Sequence, residues 1–153
     1  MAMKRVFLLT LAAVLLASSA LFAGEAEVEK ERASIREVIE SAYIRGIHTE
    51  WDAEAARNGF HPEFAMLIFE EGGIRKLPIG DWVKSIERNK KNHPDGPQYK
   101  ITHEIPMVDV TGNAAVAKIE MYKDGTHIFT DYMSLYKFEG GWKIVGKIFH
   151  RHM

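Results

Sequence analysis

Three glycine-bearing turn signals, Gly112-Asn113, Asp124-Gly125 and Gly140-Gly141, cut the last third of the chain into four runs of alternating residues. β-Branched and aromatic side chains at every second position, bounded by dipeptides that tolerate positive φ, specify antiparallel strands joined by tight hairpins. The predicted strands are 99–110, 113–123, 126–138 and 141–150. A meander of this length has to bury one face against something, and what precedes it in the chain is helical.

From Glu29 to about His48, Ile35, Val38, Ile39, Ala42 and Tyr43 recur at helical spacing, with Glu31, Arg32, Arg36, Glu37 and Glu40 on the other side. A second short helix is predicted over Asp52–Asn58, with Asn58-Gly59 as its stop and Pro62 fixing the exit. Phe64–Phe69 and Ile74–Ile79 flank Glu71-Gly72-Gly73, a hairpin signal. Asp81 reads as the N-cap of a third helix running to about Asn89, with Trp82, Val83 and Ile86 buried. Helices first and an antiparallel sheet afterwards make an α+β arrangement: three helices over a curved sheet.

Residues 1–23 read as a secretory signal peptide and 24–153 as one domain. Lys4 and Arg5 precede the apolar run Val6–Ala17, and Ser18, Ser19 and Ala20 supply a small-residue exit. An uncleaved anchor is the rival reading, since Val6–Ala23 is just long enough to span a thinned bilayer. Cleavage implies a periplasmic or secreted protein with no membrane attachment afterwards. The chain has no Cys, which excludes disulfide frameworks and thiol chemistry. Its formal net charge of −1 leaves no basic surplus, so no nucleic-acid partner is expected. No HExxH, GxSxG, GxxxxGK[ST] or GxGxxG pattern occurs, so neither a metal nor a cofactor is expected.

Two-residue hairpins pair odd positions with even ones on the next strand. One face then carries His103, Lys118, Glu120, Tyr122, Asp131, Met133, Trp142, Ile144 and His150. The other carries Ala115, Ala117, Ile119, Met121, Thr130, Tyr132, Ser134, Tyr136, Lys143, Val145, Lys147 and Phe149. The first face is expected to meet the helices, which strands several polar groups in the core. Register sets Lys118 opposite Asp131 on one side and His150 opposite it, or diagonal to it, on the other. A buried carboxylate requires such partners. The cluster reads either as the polar floor of a small-ligand pocket or as a buried ion pair that only fixes register. The second face, rich in small residues and tyrosine, reads as a homodimer interface or as an ordinary half-exposed sheet surface. His61 is a candidate for the pocket mouth or a plain helix-end residue. Tyr43 and Trp51 from the helix layer are candidate cavity walls or simple core.

Several segments resemble one family: Tyr43-Ile44-Arg45-Gly46, Phe60-His61-Pro62, Val110–Lys118, Phe129-Thr130-Asp131-Tyr132-Met133-Ser134-Leu135 and Gly141–Phe149. Together they are similar to the nuclear transport factor 2-like superfamily and, within it, to the "putative lumazine-binding" group. The resemblance implies a cone with a cavity on the concave face, frequent dimers through the sheet, and Asp131 inside the cavity. Enzymes on this fold, such as ketosteroid isomerase and scytalone dehydratase, place Asp, Tyr or His in the same cone, but fold alone does not carry an activity.

Two functions follow as expectations. One is an exported module holding a small, largely planar or apolar molecule between Tyr43, Trp51 and Met133, with Asp131, Lys118 and His103 at its polar edge. The other is an isomerase- or dehydratase-like enzyme in which Asp131 is the general base, His150 or Lys118 orients it and Tyr43 donates to a developing oxyanion. A protein-interaction subunit using the flat sheet face is a third reading.

Overall fold

In the computed structural model residues 24–152 are described, and the signal peptide expected over 1–23 lies outside them. Helix α1 covers 24–38 and continues without a break as a π-helical segment, Ile39–Thr49. Glu50 N–H donates to Arg45 O across five residues at 3.0 Å, the wider winding that closes the segment. Helix α2 (Ala53–Gly59) follows, and Asp52, expected to be its first residue, is its N-cap: the carboxylate accepts from the N–H groups of Glu54 and Ala55. Strands β1 (Phe60–Glu70) and β2 (Gly73–Pro78) form the first hairpin. Helix α3 spans Ile79–Asn92, so Asp81 is not its N-cap. The extended backbone of Pro78 ends β2 and starts the helix directly, and Asp81 sits inside its first turn, paired with Lys84 at 3.1 Å.

The meander is β3 (Ile101–Thr111), β4 (Ala114–Lys123), β5 (Thr126–Phe138) and β6 (Gly141–Arg151). Asp124 and Gly125 both take positive φ, the mirror-image turn that matches strand twist. The sheet order is β2-β1-β6-β5-β4-β3, with β1 parallel to β6 and every other pair antiparallel. The helices lie on one face of this curved, open sheet. Arg32 and Arg36 clip α1 to β3 by donating to Val108 O and Ile105 O. Glu31 accepts from the Trp142 indole at 2.6 Å and from Lys137, tying the same helix to β5 and β6. Gly59 lets α2 touch the π segment, since a Cβ there would meet the Ala42 methyl at 2.2 Å.

Register departs from the expected odd-to-even pairing in each of the three hairpins. Between β3 and β4 it shifts after Glu104, between β4 and β5 at Ile128, and between β5 and β6 at Val145. Each bulge inserts one residue and reverses which parity faces the helices beyond it. The helix-facing side therefore carries Ala117, Ile119 and Met121 from β4, Asp131, Met133 and Leu135 from β5, and Trp142, Ile144 and then Lys147 from β6, all buried. Lys118, Glu120, Tyr122 and His150 lie on the outer face instead. The predicted assignment of β4, and of β6 beyond Val145, is corrected accordingly.

Among the described residues no helix is long and apolar enough to cross a membrane.

Candidate functional site

Asp131 is the polar centre of the helix-facing side and is fully buried. Its register neighbours are Ile119 on β4 and Phe149 on β6, so neither Lys118 nor His150 can reach it. The bulge at Val145 supplies a different partner. It turns Lys147 inward, one step along β6 from Phe149, with only 6% of its surface exposed. Lys147 Nζ lies 2.8 Å from Asp131 Oδ1 and donates to the Tyr43 hydroxyl at 2.6 Å. The Tyr43 hydroxyl in turn donates to Asp131 Oδ2 at 2.5 Å. Oδ1 therefore faces the Lys147 ammonium as an ion pair, and Oδ2 faces the Tyr43 hydroxyl.

The triangle is enclosed by rings. Lys147 Nζ is 4.6 Å from the centroid of Tyr43, 5.2 Å from Phe149, 5.5 Å from Trp82 and 5.9 Å from Phe129. These distances suit a cation over aromatic faces, which partly offsets the loss of water. Burial still dominates at Lys147 and pulls its pKa below the usual lysine range, with Asp131 opposing. Burial and the Asp131 charge together push the Tyr43 phenol well above its ordinary value. The hydroxyl thus stays protonated and remains a donor.

The π winding adds a fourth group. In an α-helix, residues five apart point about 140° away from one another. Here Tyr43 and His48 sit edge to face with centroids 4.7 Å apart. The His48 residue is half-buried, but its Nε2 is enclosed and has no hydrogen-bond partner. Burial, then the charge of Lys147, then His103 lower its pKa to about 3, so the imidazole is neutral. His103 stays on the helix-facing side, 2.6 Å from Glu40. π-Helical turns recur at functional sites because they re-aim side chains in this way.

The remaining candidates divide between the surroundings of this triangle and other places. Met133 is buried opposite Lys147. Trp51 is buried against His93, their ring centroids 6.4 Å apart. His61 stacks on Phe138 at 4.8 Å, seven residues along β5 from Asp131, and therefore far from it. On the outer face, Lys118 pairs with Glu120 at 2.6 Å, and Tyr122 stacks on His127 at 4.8 Å. The Lys118 and Thr130 bonds hold the Glu120 carboxyl at about 2 despite burial. His150 packs edge-on against His152 there, 4.8 Å between ring centres. A separate groove of about 610 Å³ runs between α1 and the β5–β6 turn, bordered by Ser34, Ser41, Asn58 and Trp142. None of Tyr43, Asp131 and Lys147 lines it.

Sequence reasoning thus reached Tyr43 and Asp131 and missed Lys147 and His48. Gly146 was the available signal for Lys147, because a glycine inside a strand marks a bulge. Nothing in the sequence marks the π winding that brings in His48.

Solved structures with the same architecture include a nuclear transport factor 2-like protein of unknown function from Shewanella baltica. It is 25% identical, with a TM-score of 0.64 over 81% of this chain and 95% of its own. A second, from Silicibacter pomeroyi, is 20% identical with a TM-score of 0.66, covering 82% and 98%. A cystatin-like domain of unknown function from Nostoc punctiforme is 19% identical with a TM-score of 0.52, covering 84% and 78%. Among characterised proteins, Aldolase FrzH of a Cladobotryum species is 25% identical over 101 residues, 65% of this chain and 76% of that protein. The family profile described as putative lumazine-binding matches residues 30–150, and with the α+β cone in place the chain belongs to that family.

Proposed function

We propose that the chain binds a small, largely planar organic molecule in the cone, with Tyr43, Asp131 and Lys147 fixing its polar edge. The observation that carries this reading is the buried Tyr43–Asp131–Lys147 triangle inside a ring of aromatic side chains. A buried ion pair contributes little net stability compared with apolar residues of the same volume. Its presence at the centre of an otherwise apolar interior therefore favours recognition of a ligand over a purely structural role. The enclosed His48 nitrogen, which lacks a hydrogen-bond partner, is a place where a polar group of a ligand would be satisfied. Trp82, Phe129 and Phe149 are only partly buried, so a ligand reaches the triangle by displacing or stacking on these rings. His103 and Met133 extend the same wall.

Mass spectrometry of small molecules released on denaturation tests this, run on wild type beside Tyr43→Phe, which removes one hydroxyl and keeps the ring. A discrete compound near one per chain is expected in wild type and depleted in the variant. A wild-type protein that releases nothing and is not thermally stabilised by any compound of a metabolite panel overturns the reading.

A second reading is favoured by the Tyr43 hydroxyl, which bridges Lys147 and Asp131 and so offers a path for a proton. In it the cone is an enzyme site, with Asp131 as general base at an acidic C–H. The relative named an aldolase points the same way, since aldol chemistry also begins by removing a proton next to a carbonyl. Deuterium appearing from solvent at such a carbon of the released compound would favour the enzyme; none would leave the binding module.

In either reading the chain is exported, with residues 1–23 removed, and pairs through the outer sheet face. Val116, Tyr132, Tyr136 and Ile148 are large side chains that remain 44–53% exposed there. Intact mass and light scattering of the exported protein check both: a chain lacking the leader, at twice the monomer mass. A full-length monomer excludes them.

A further inference from the structure

The outer face of the sheet carries a second convergence of chemistry-bearing groups, independent of the cone. Glu120, His127 and His152 come from β4, β5 and the residue following β6, and their donor atoms lie within 4.8 Å of one another. The bulge at Ile128 creates the arrangement. In an unbroken strand His127, two residues before Phe129, would share its helix-facing side; the bulge turns His127 to the outer face, beside Tyr122 and Glu120. His152 is held where it is by its backbone N–H, which donates to Ile128 O at 3.0 Å across the same bulge.

We propose that Glu120, His127 and His152 form a binding site for a divalent transition-metal ion, with Zn²⁺ as the fitting probe. Two imidazoles and one carboxylate are the ligand set such ions prefer, and three protein ligands leave a position open for water. His127 Nε2 is 2.8 Å from Glu120 Oε2, and His152 Nε2 is 2.9 Å from Thr130 Oγ1, whose hydroxyl donates to the same Glu120 oxygen at 2.5 Å. Three nitrogen and oxygen donors therefore already gather in one small volume, where metal–ligand lengths of about 2.0–2.2 Å would be required.

The two imidazole rings stack with centroids 3.8 Å apart. Thr130 is 8% exposed and orients the Glu120 carboxylate by donating to Oε2, the part that a supporting shell plays in metal sites. Lys118 occupies the other oxygen, Oε1, at 2.6 Å, so the ion would bind Oε2 beside the Thr130 hydroxyl and take the place of the His127 contact there.

Such an ion would join three neighbouring interior strands, β4, β5 and β6, beside the β5 bulge. This assignment does not depend on whether the cone binds a ligand.

The test is calorimetric titration of chelator-treated full-length protein with Zn²⁺ at neutral pH, and with Co²⁺ followed by visible absorption. One ion per chain is expected, with a Co²⁺ spectrum of a four- or five-coordinate site. His127→Ala and His152→Ala should each weaken binding by at least about tenfold, and Thr130→Val by roughly 10–100-fold, through loss of carboxylate orientation. His93→Ala, on the loop after α3, should leave affinity unchanged. Circular dichroism of each metal-free variant separates loss of ligands from loss of fold. Absence of binding at millimolar Zn²⁺, or binding that survives both histidine changes, overturns the site and leaves a hydrogen-bonded cluster.

Discussion

Asp131→Ala is expected to lower the free energy of unfolding by about 3–5 kcal/mol, because it strands the Lys147 ammonium among rings with no counter-charge. That is a large share of the roughly 5–15 kcal/mol that a domain of this size possesses. Removing both charges together should behave differently. In Asp131→Leu/Lys147→Met the interior remains filled and nothing charged is left to desolvate, so stability should return to the wild-type value or exceed it. Urea unfolding of the three proteins measures this directly. Recovery in the double variant would mean that the pair is retained for something other than folding, which is the premise of the ligand reading. A double variant as unstable as Asp131→Ala, with the same ligand content as wild type, would make the triangle a structural feature. A single variant that loses less than about 1 kcal/mol would show that water reaches the site.

The architecture was legible because local signals agree with one another. The three hairpin turns, the Asn58-Gly59 stop and the apolar spacing of Ile35, Ile39, Ala42 and Tyr43 all point to helices laid on a meander, and each element is present. Face assignment failed because it is a parity argument, and parity does not survive an inserted residue. The bulge at Ile128 takes Lys118 off the face of Asp131, and the bulge at Val145 brings Lys147 onto it.

The signs of irregularity were nevertheless written in the strands. Pro106 lies where β3 shifts against β4, a residue that cannot donate to a ladder. Gly146 follows the insertion in β6. The consecutive apolar pair Ile128-Phe129 breaks alternation where β5 shifts against β4. Treating such positions as register changes would have reversed β4 relative to Asp131 and brought Lys147 inward. The π segment is a different case. Its winding depends on how α2 and the sheet confine it, with Gly46 and Gly59 permitting approach to Ala56 and Ala42, and that is tertiary information.

His48 makes acid the condition in which this interior should fail. Its pKa is lowered from 6.5 to about 3, so below pH 6.5 the unfolded chain binds a proton that the folded chain refuses. Stability is therefore complete above pH 6.5 and falls as pH drops towards 3, by about 1.4 kcal/mol for each unit. Over that window the loss amounts to roughly 3–5 kcal/mol, comparable to breaking the ion pair. Burial is the largest cause, and the charged groups that add to it come from separate elements, Lys147 on β6 and His103 on β3, while the Tyr43 ring packs against the imidazole from the helix itself.

His48→Gln keeps a neutral polar side chain and removes the titration. Its unfolding free energy should change much less than that of wild type between pH 6.5 and 4.5. Below pH 4.5 Glu120, whose pKa is lowered to about 2, adds a loss of its own, but it does so in both proteins and cancels in the comparison. The alkaline side offers no such separation. Lys147 favours folding as pH rises towards 10.5, while Tyr43 opposes it as pH passes 10, and the two act in opposite senses. Parallel curves for wild type and His48→Gln between pH 6.5 and 4.5 would show that the imidazole is open to water. A steeper wild-type curve would place an uncharged, enclosed histidine beside the triangle, where only a neutral partner can be accommodated.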